Sequence, residues 1–456
     1  MTLVLEDTDV RTITPLLSDW IAGVPGEDIP PALIRLLRDC FFDITGHAAF
    51  SARYAESSAA IREGVQSMEI GGGGYTVFGD SGDYSSRQAA LLNGAFAHSM
   101  DFDDTNVPGV LHPGASVIPA ALVEAERIDC DGRGFLEALA VGYEVACRVG
   151  AAIGESAYDL GFHTTSVAGI FGAVAAAGRL RTASASVIED AFGLAGSMAA
   201  GSMQYLENGA WNKRLHPGLA ARSALDALDL AQAGVVGAHE PLVGRYGVLN
   251  GYSRNPRPDL LGRDLGREWL ALKTGLKPYP SCRLTHGAVD AALVLRERFP
   301  TAEPVAISIE LSPKAFDIVG EPTETKKRPR NTVDAQFSVY FQVACAWRQG
   351  RMDWRSYQNL GEPSLEALMA TISVRPDAAL AGPAARLTVG SEELVVEVPS
   401  GEPESPLGEE RLRQKFYSMA AEVYGDAGSR HLADQLLDIE SCGAVSDLIR
   451  ALKPPS

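Results

Sequence analysis

The sequence predicts a mainly α protein, with a large all-helical domain and a smaller α+β domain. Three observations predict it. From about Thr12 to Ala233 the chain is Ala-rich, with apolar and small residues at helical spacing. Strand signals are almost absent from that stretch, apart from a short piece at Tyr75–Phe78. Strict period-two alternation begins only after about Trp269. At 456 residues the chain also exceeds what one compact core organises, so two domains are expected.

In chain order, helices are expected over Pro31–Thr45, Gln88–Asp101, Val117–Arg127, Gly134–Ile153, Ser166–Leu180, Val187–Met203 and Pro217–Ala233. Gly169, Gly172, Ala173, Ala176 and Ala177 recur at i, i+3, i+4 spacing, which lets two helix backbones approach closely. The linker Asn255–Asp264, rich in Pro, Arg and Asp, is a crossing point between domains. Beyond it, Pro304–Ser312, Ala370–Val374 and Glu393–Val398 read as strands, the last after a Gly390–Ser391 turn. Leu284–Glu297 and Asp334–Ala346 read as helices. After the Pro/Gly/Glu-rich stretch 399–408, helix returns over Glu409–Tyr424 and His431–Ile439, placed to pack back on the first domain. The expected division is therefore 1–266 with 404–456 as a discontinuous helical domain, and 267–403 as the α+β domain.

The formal charge of −18 argues against nucleic acid or an anionic membrane surface as a partner. It also requires any anionic ligand to find a local cationic pocket. Six widely spread cysteines, with no C-x-x-C pair, read as free thiols of a reducing compartment rather than as metal ligands. The acidic start (Glu6, Asp7, Asp9) is unlike a signal peptide, and no apolar run has membrane-spanning length. The expected location is cytoplasmic.

Chemistry concentrates in five segments. His98-Ser-Met-Asp101-Phe-Asp103-Asp104-Thr105, followed by His112-Pro113, packs three carboxylates and two imidazoles between apolar helices. Such a cluster is costly unless hydrogen-bonded or put to use. If the helix continues through it, Asp101, Asp104 and Thr105 share one face, with His98 a turn earlier. The others are Gly161-Phe-His163, Asn212-Lys213-Arg214-Leu-His216, Lys277-Pro-Tyr279-Pro-Ser-Cys282-Arg283-Leu-Thr-His286, and Asp334-Ala-Gln336-Phe-Ser338. Two prolines hold the Lys277 segment rigid. A cleft between the domains would bring these segments together. The His98 spacing to Asp101 or Asp104 fits no standard metal site. Gly71–Gly74 lacks the Gly-Lys-Ser/Thr of a phosphate loop, and no Gly-x-Ser-x-Gly elbow is present.

Taken together, these segments resemble the MmgE/PrpD family, in order and across nearly the whole chain. The resemblance implies an all-helical domain built from both chain ends, an α+β lid domain, a homodimer, and an interdomain active site without metal or organic cofactor. Family activities include 2-methylcitrate dehydration, cis-aconitate decarboxylation and iminodisuccinate epimerisation, all on small anionic polycarboxylates. It places Asp101, Thr105, His112, His163, Lys213 and Lys277 in the pocket. Lys213 is expected as a base, with Tyr143 or His163 opposite it and Asp101 orienting a neighbour. His98, Thr105, Lys277, Tyr279, Cys282 and Arg283 are expected to bind substrate. Decarboxylase-like members carry a His shortly after Asp-Asp-Thr and another just past the Lys277 lysine, where this chain has Asn106/Val107 and Cys282. The expected outcome is epimerisation, ahead of lyase chemistry such as dehydration and of a non-catalytic polycarboxylate-binding role.

Overall fold

A computed structural model describes residues 13–69, 72–299 and 306–455. Glu6–Asp9, Gly71 and the Pro304–Val305 start of the expected strand lie outside the described residues.

The helical domain grows from Ala and Gly at the positions where helices cross. Helices run over Pro31–Tyr54, Ser86–His98, Pro113–Ile128, Gly132–Ile153, Thr164–Leu180 and Asn212–Gln232. A Cβ on Gly172 would run into the Gly142 carbonyl oxygen, and one on Gly94 into the Gly218 backbone. Helix Gly132–Ile153 therefore packs backbone-close on Thr164–Leu180, and Ser86–His98 on Asn212–Gln232. Their buried side chains form one core running from Ile13 to Leu276 and resuming from Leu412 to Leu452. The returning helix, Glu409–Leu437, is broken at Gly425 (φ +70°). Its Phe416 stacks on Phe42, with ring centroids 4.3 Å apart.

A second core runs from Tyr279 to Val389. Its four-stranded sheet has the order β2 (Ile372–Pro376), β1 (Ile307–Leu311), β3 (Ala385–Val389), β4 (Glu392–Val396). Strands β1 and β2 are parallel; β3 runs antiparallel to both β1 and β4. Helices His286–Arg298 and Val339–Gln349 supply buried faces to this core. Among the described residues no helix is long and apolar enough to cross a membrane.

The two connections between the cores touch. A Cβ on Gly275 would collide with the Gly401 carbonyl, and one on Gly401 (φ +89°) with the Leu276 carbonyl. Arg283 and Glu402 pair beside this point, at 2.5 and 2.9 Å.

Several elements differ from expectation. The helix expected through Asp101 ends at His98, and Asp101 has φ +52°. Asp101, Asp104 and Thr105 therefore do not share a helical face; Thr105–Asn106 instead forms a short strand paired with Thr274–Gly275. The Val187–Met203 helix is confined to Ala185–Gly196. The Asp334–Ala346 helix is split into Thr332–Gln336 and Val339–Gln349. Ala370 closes a helix rather than opening a strand. Strand β3 was not expected, although Ala385-Arg-Leu-Thr-Val alternates strictly and follows the turn dipeptide Gly382-Pro383; at five residues the signal is short.

Candidate active site

The site forms where helix ends meet. His112 caps the start of Pro113–Ile128, and His163 that of Thr164–Leu180. Lys213 and His216 lie in the first turns of Asn212–Gln232, and His98 ends Ser86–His98. The rings are close: His98 lies 5.0 Å from His112 and 5.4 Å from His163, and His163 is 5.3 Å from His216. Three helix N-termini thus turn their partial positive charge toward one place. With Lys213 and Lys277, they supply the local positive potential that an anionic ligand needs in a chain of charge −18.

The three carboxylates of the loop after His98 go in three directions. Asp101 Oδ1 lies 2.8 Å from Lys213 Nζ and 2.7 Å from Lys277 Nζ. Burial raises the Asp101 carboxyl, but the two ammonium groups overcome it and hold it well below the usual range. Asp103 Oδ2 accepts from His98 Nδ1 at 2.7 Å. Burial raises Asp103 too, yet the His98 N–H that it accepts and the nearby Lys277 charge keep it ionised. Asp104 turns inward, accepting from the Gly114 N–H at 3.3 Å. Burial and the charge of Asp103 push it up to about 8, so it is protonated at neutral pH.

The Nδ1–H of His98 is committed to Asp103, which leaves Nε2 as its basic nitrogen; that atom is buried without a partner. His163 shares a 3.1 Å Nδ1–Nδ1 hydrogen bond with His216, and its Nε2 is likewise unpartnered. His112 Nδ1 donates to the Asp104 carbonyl at 2.9 Å. Burial keeps all four imidazoles neutral: His112 falls to about 3, His216 to about 4, and His98 and His163 also fall. Neutral imidazoles with free nitrogens, beside two ammonium groups, can take up and return protons at carbon while an anion is held.

Thr105 Oγ1 lies 3.4 Å from His112 Nδ1. Cys282 is near Asp101 and both lysines, and burial raises its thiol, so it stands there as a neutral SH group. Arg283, paired with Glu402, lines a small cleft with Thr105, Lys277 and His286. Two expected site residues lie apart from this centre. Tyr143, expected opposite Lys213, is fully buried in the helical core behind Asp104, because its helix turns that face inward. The Tyr279 hydroxyl donates to Asp290 at 2.5 Å inside the second core.

Sequence reasoning did not assign His216, Tyr158 and Tyr205. Tyr158 and Tyr205 flank the His163 ring, each 6.3 Å from it. His216 follows Lys213 by three residues, a helical spacing that was available as a signal. Tyr158, in the short helix Ser156–Asp159, lies three residues before Gly161-Phe-His163, a proximity that was available as a signal; Tyr205, in the helical turn Met203–Glu207, has no motif around it. Among the described residues, His98, Asp103 and His112 form a group of three donors close enough to share a cation. The Asp103 carboxylate is already engaged by the His98 ring N–H, and Lys277 adds positive charge nearby, so the trio fits a hydrogen-bonded dyad with a neighbour.

The lysine-paired aspartate and ring of neutral imidazoles have the charge and the free nitrogens to hold an anion and to move a proton. The MmgE/PrpD N-terminal domain matches residues 16–261 and the MmgE/PrpD C-terminal domain residues 279–439. The chain belongs to the MmgE/PrpD family. It is similar to the cis-aconitate decarboxylase-like protein oryM of Aspergillus oryzae, 25% identical over 98% of each chain. The cis-aconitate decarboxylase of Aspergillus terreus is 25% identical, covering 100% of this chain and 99% of its own. The human cis-aconitate decarboxylase is 26% identical over 80% of each chain.

Proposed function

We propose that this protein is an enzyme that moves a proton at carbon next to a carboxylate of a small polycarboxylate, and that its reaction is epimerisation of iminodisuccinate stereoisomers. The observation that carries the proton-transfer reading is the shared Asp101–Lys213–Lys277 contact ringed by neutral histidines. Removing a proton α to a carboxylate builds charge on oxygen, and preorganised ammonium groups offset it. In the epimerisation, a base takes the Cα–H proton on one face, the carbanionic charge spreads into the adjacent carboxylate, and an acid returns a proton on the other face. The ammonium groups and helix N-termini hold the carboxylates. Lys213 and His163 are the proposed proton-carrying pair, His98 and His112 are alternatives to either, and Thr105 and Arg283 orient distal carboxylates. No cofactor takes part in this scheme, and the homodimer belongs to the same reading.

A second reading, a lyase, is favoured by the full-length likeness to cis-aconitate decarboxylases. Against decarboxylation stands Asn106/Val107, where the resemblance puts a histidine in decarboxylase-like members. The Asn106 amide is spent on the backbone, donating to the Leu270 carbonyl at 2.9 Å and accepting from Gly109 N at 2.9 Å. A panel of polycarboxylates incubated in deuterated water and followed by NMR separates the outcomes. Cα–H exchange with inversion supports the epimerase. An alkene signal or loss of carbon dioxide supports the lyase, and tight binding without turnover would leave a binding protein.

A further inference from the structure

Three consecutive carbonyls of the loop after His98 are each held by a side chain from a distant part of the chain. Gln336 Nε2 donates to the Met100 carbonyl at 2.9 Å, Lys277 Nζ to the Asp101 carbonyl at 2.9 Å, and Lys415 Nζ to the Phe102 carbonyl at 2.9 Å. The donors come from the α+β domain, the connection between domains, and the returning C-terminal helix. All three are buried. The segment they hold has no helix or sheet ladder of its own and carries Asp101 in a left-handed backbone conformation that non-glycine residues avoid. Such a conformation persists where the surroundings over-determine it.

We propose that Lys415 and Gln336 are positioning residues for this site, and that Gln336 couples docking of the α+β domain to the placement of Asp101 and Asp103. Lys415 reaches the loop from behind: its ammonium group also pairs with Asp43 at 2.7 Å and lies 3.8 Å from the Phe102 ring centroid. The Phe102 carbonyl sits between the two catalytic-loop carboxylates, so moving it displaces both. Of the three donors, Gln336 comes from within the second domain, in helix Thr332–Gln336, whereas Lys277 lies at that domain's edge, two residues past Gly275. The Met100 carbonyl keeps this partner only while the second domain is docked as it is here, so undocking would release the loop and docking locks it. The aspartate that holds Lys213 is thereby in place only once the cleft has closed.

The test does not depend on the identity of the substrate. Hydrogen exchange of amides 99–106 is measured by mass spectrometry in the full chain, in Lys415→Met and in Gln336→Leu. Each variant is expected to speed exchange there by roughly tenfold or more, with peptides of helix Thr164–Leu180 unchanged. Gln336→Leu leaves no buried charge behind, so it keeps the question answerable if Lys415→Met does not fold. Lys415→Arg is expected to restore much of the protection. With a substrate in hand, which rests on the reading above, kcat falls in both variants while KM stays within a few-fold. Unchanged loop exchange in a folded Gln336→Leu protein would overturn the proposal, whatever the enzyme turns over.

Discussion

Lys213 and Lys277 share one oxygen atom: their ammonium groups stand 2.8 and 2.7 Å from Asp101 Oδ1, one from the start of a helix and the other from the connection between domains. Asp101 alone cannot neutralise both cations; the ionised Asp103, within electrostatic reach of Lys277, supplies the second negative charge. The two ammonium groups are thereby fixed in place with donor capacity left over.

Asp101→Asn removes the counter-charge from both lysines. Breaking a buried pair in this way costs about 3–5 kcal/mol, and activity falls with it. Urea denaturation of the folded variant measures the first, and NMR exchange the second. Because the Asp101 carboxyl is held below its ordinary value, its contribution is complete above the unfolded value of 3.8 and fades as pH falls through the lower folded value. A variant as stable as the parent at pH 7 would refute the pairing as a source of stability.

Asp104 predicts the opposite slope. It is raised from 3.8 to about 8 in the folded chain, so the folded state holds a proton that the unfolded state releases. Stability therefore declines as pH rises between those values. Asp104→Asn flattens that decline and is at least as stable as the parent near pH 8. Denaturation curves at pH 5 and 8 decide it.

Because His112 and His216 titrate near 3 and 4, these two imidazoles stay neutral from pH 5 upward, and burial lowers His98 and His163 as well. The profile of kcat/KM against pH is expected to show no limb near 6.5, where a free histidine would titrate. His98→Gln or Asp103→Asn is expected to lower kcat by about 10²–10⁴ if the dyad carries the proton. A wild-type rate in both variants would remove it from the mechanism.

Chelation provides a fourth check. Incubation with a strong chelator followed by desalting is expected to leave the rate unchanged. A loss restored by one added divalent metal would assign the His98–Asp103–His112 cluster to that ion.

The helices were readable because small residues at 3.6-residue spacing specify close packing locally: Gly172 against Gly142 realises a contact that the spacing alone suggested. The site was readable as a set of segments but not as a geometry. The spacing of Asp101, Asp104 and Thr105 suggested a shared helical face; the φ of +52° at Asp101 ends that pattern, and no composition signal announces it. Which carboxylate meets which base depends on the loop's path, so the Asp103–His98 pair was missed although both residues were in view. Lys415 lies 372 residues from Asp43, and nothing near it in the sequence marks it. Tyr143 was a fair candidate by type, but helical phase buries it against Asp104.

The contact between Gly275 and Gly401 makes the intervening 125-residue stretch an insertion whose two ends leave the helical body side by side. The segment therefore joins the helical body at one seam, as a single cassette that could be exchanged for a relative's while the histidine-bearing body stays intact. A side chain at that seam, as in Gly401→Val, would strike the Leu276 carbonyl and force the two connections apart.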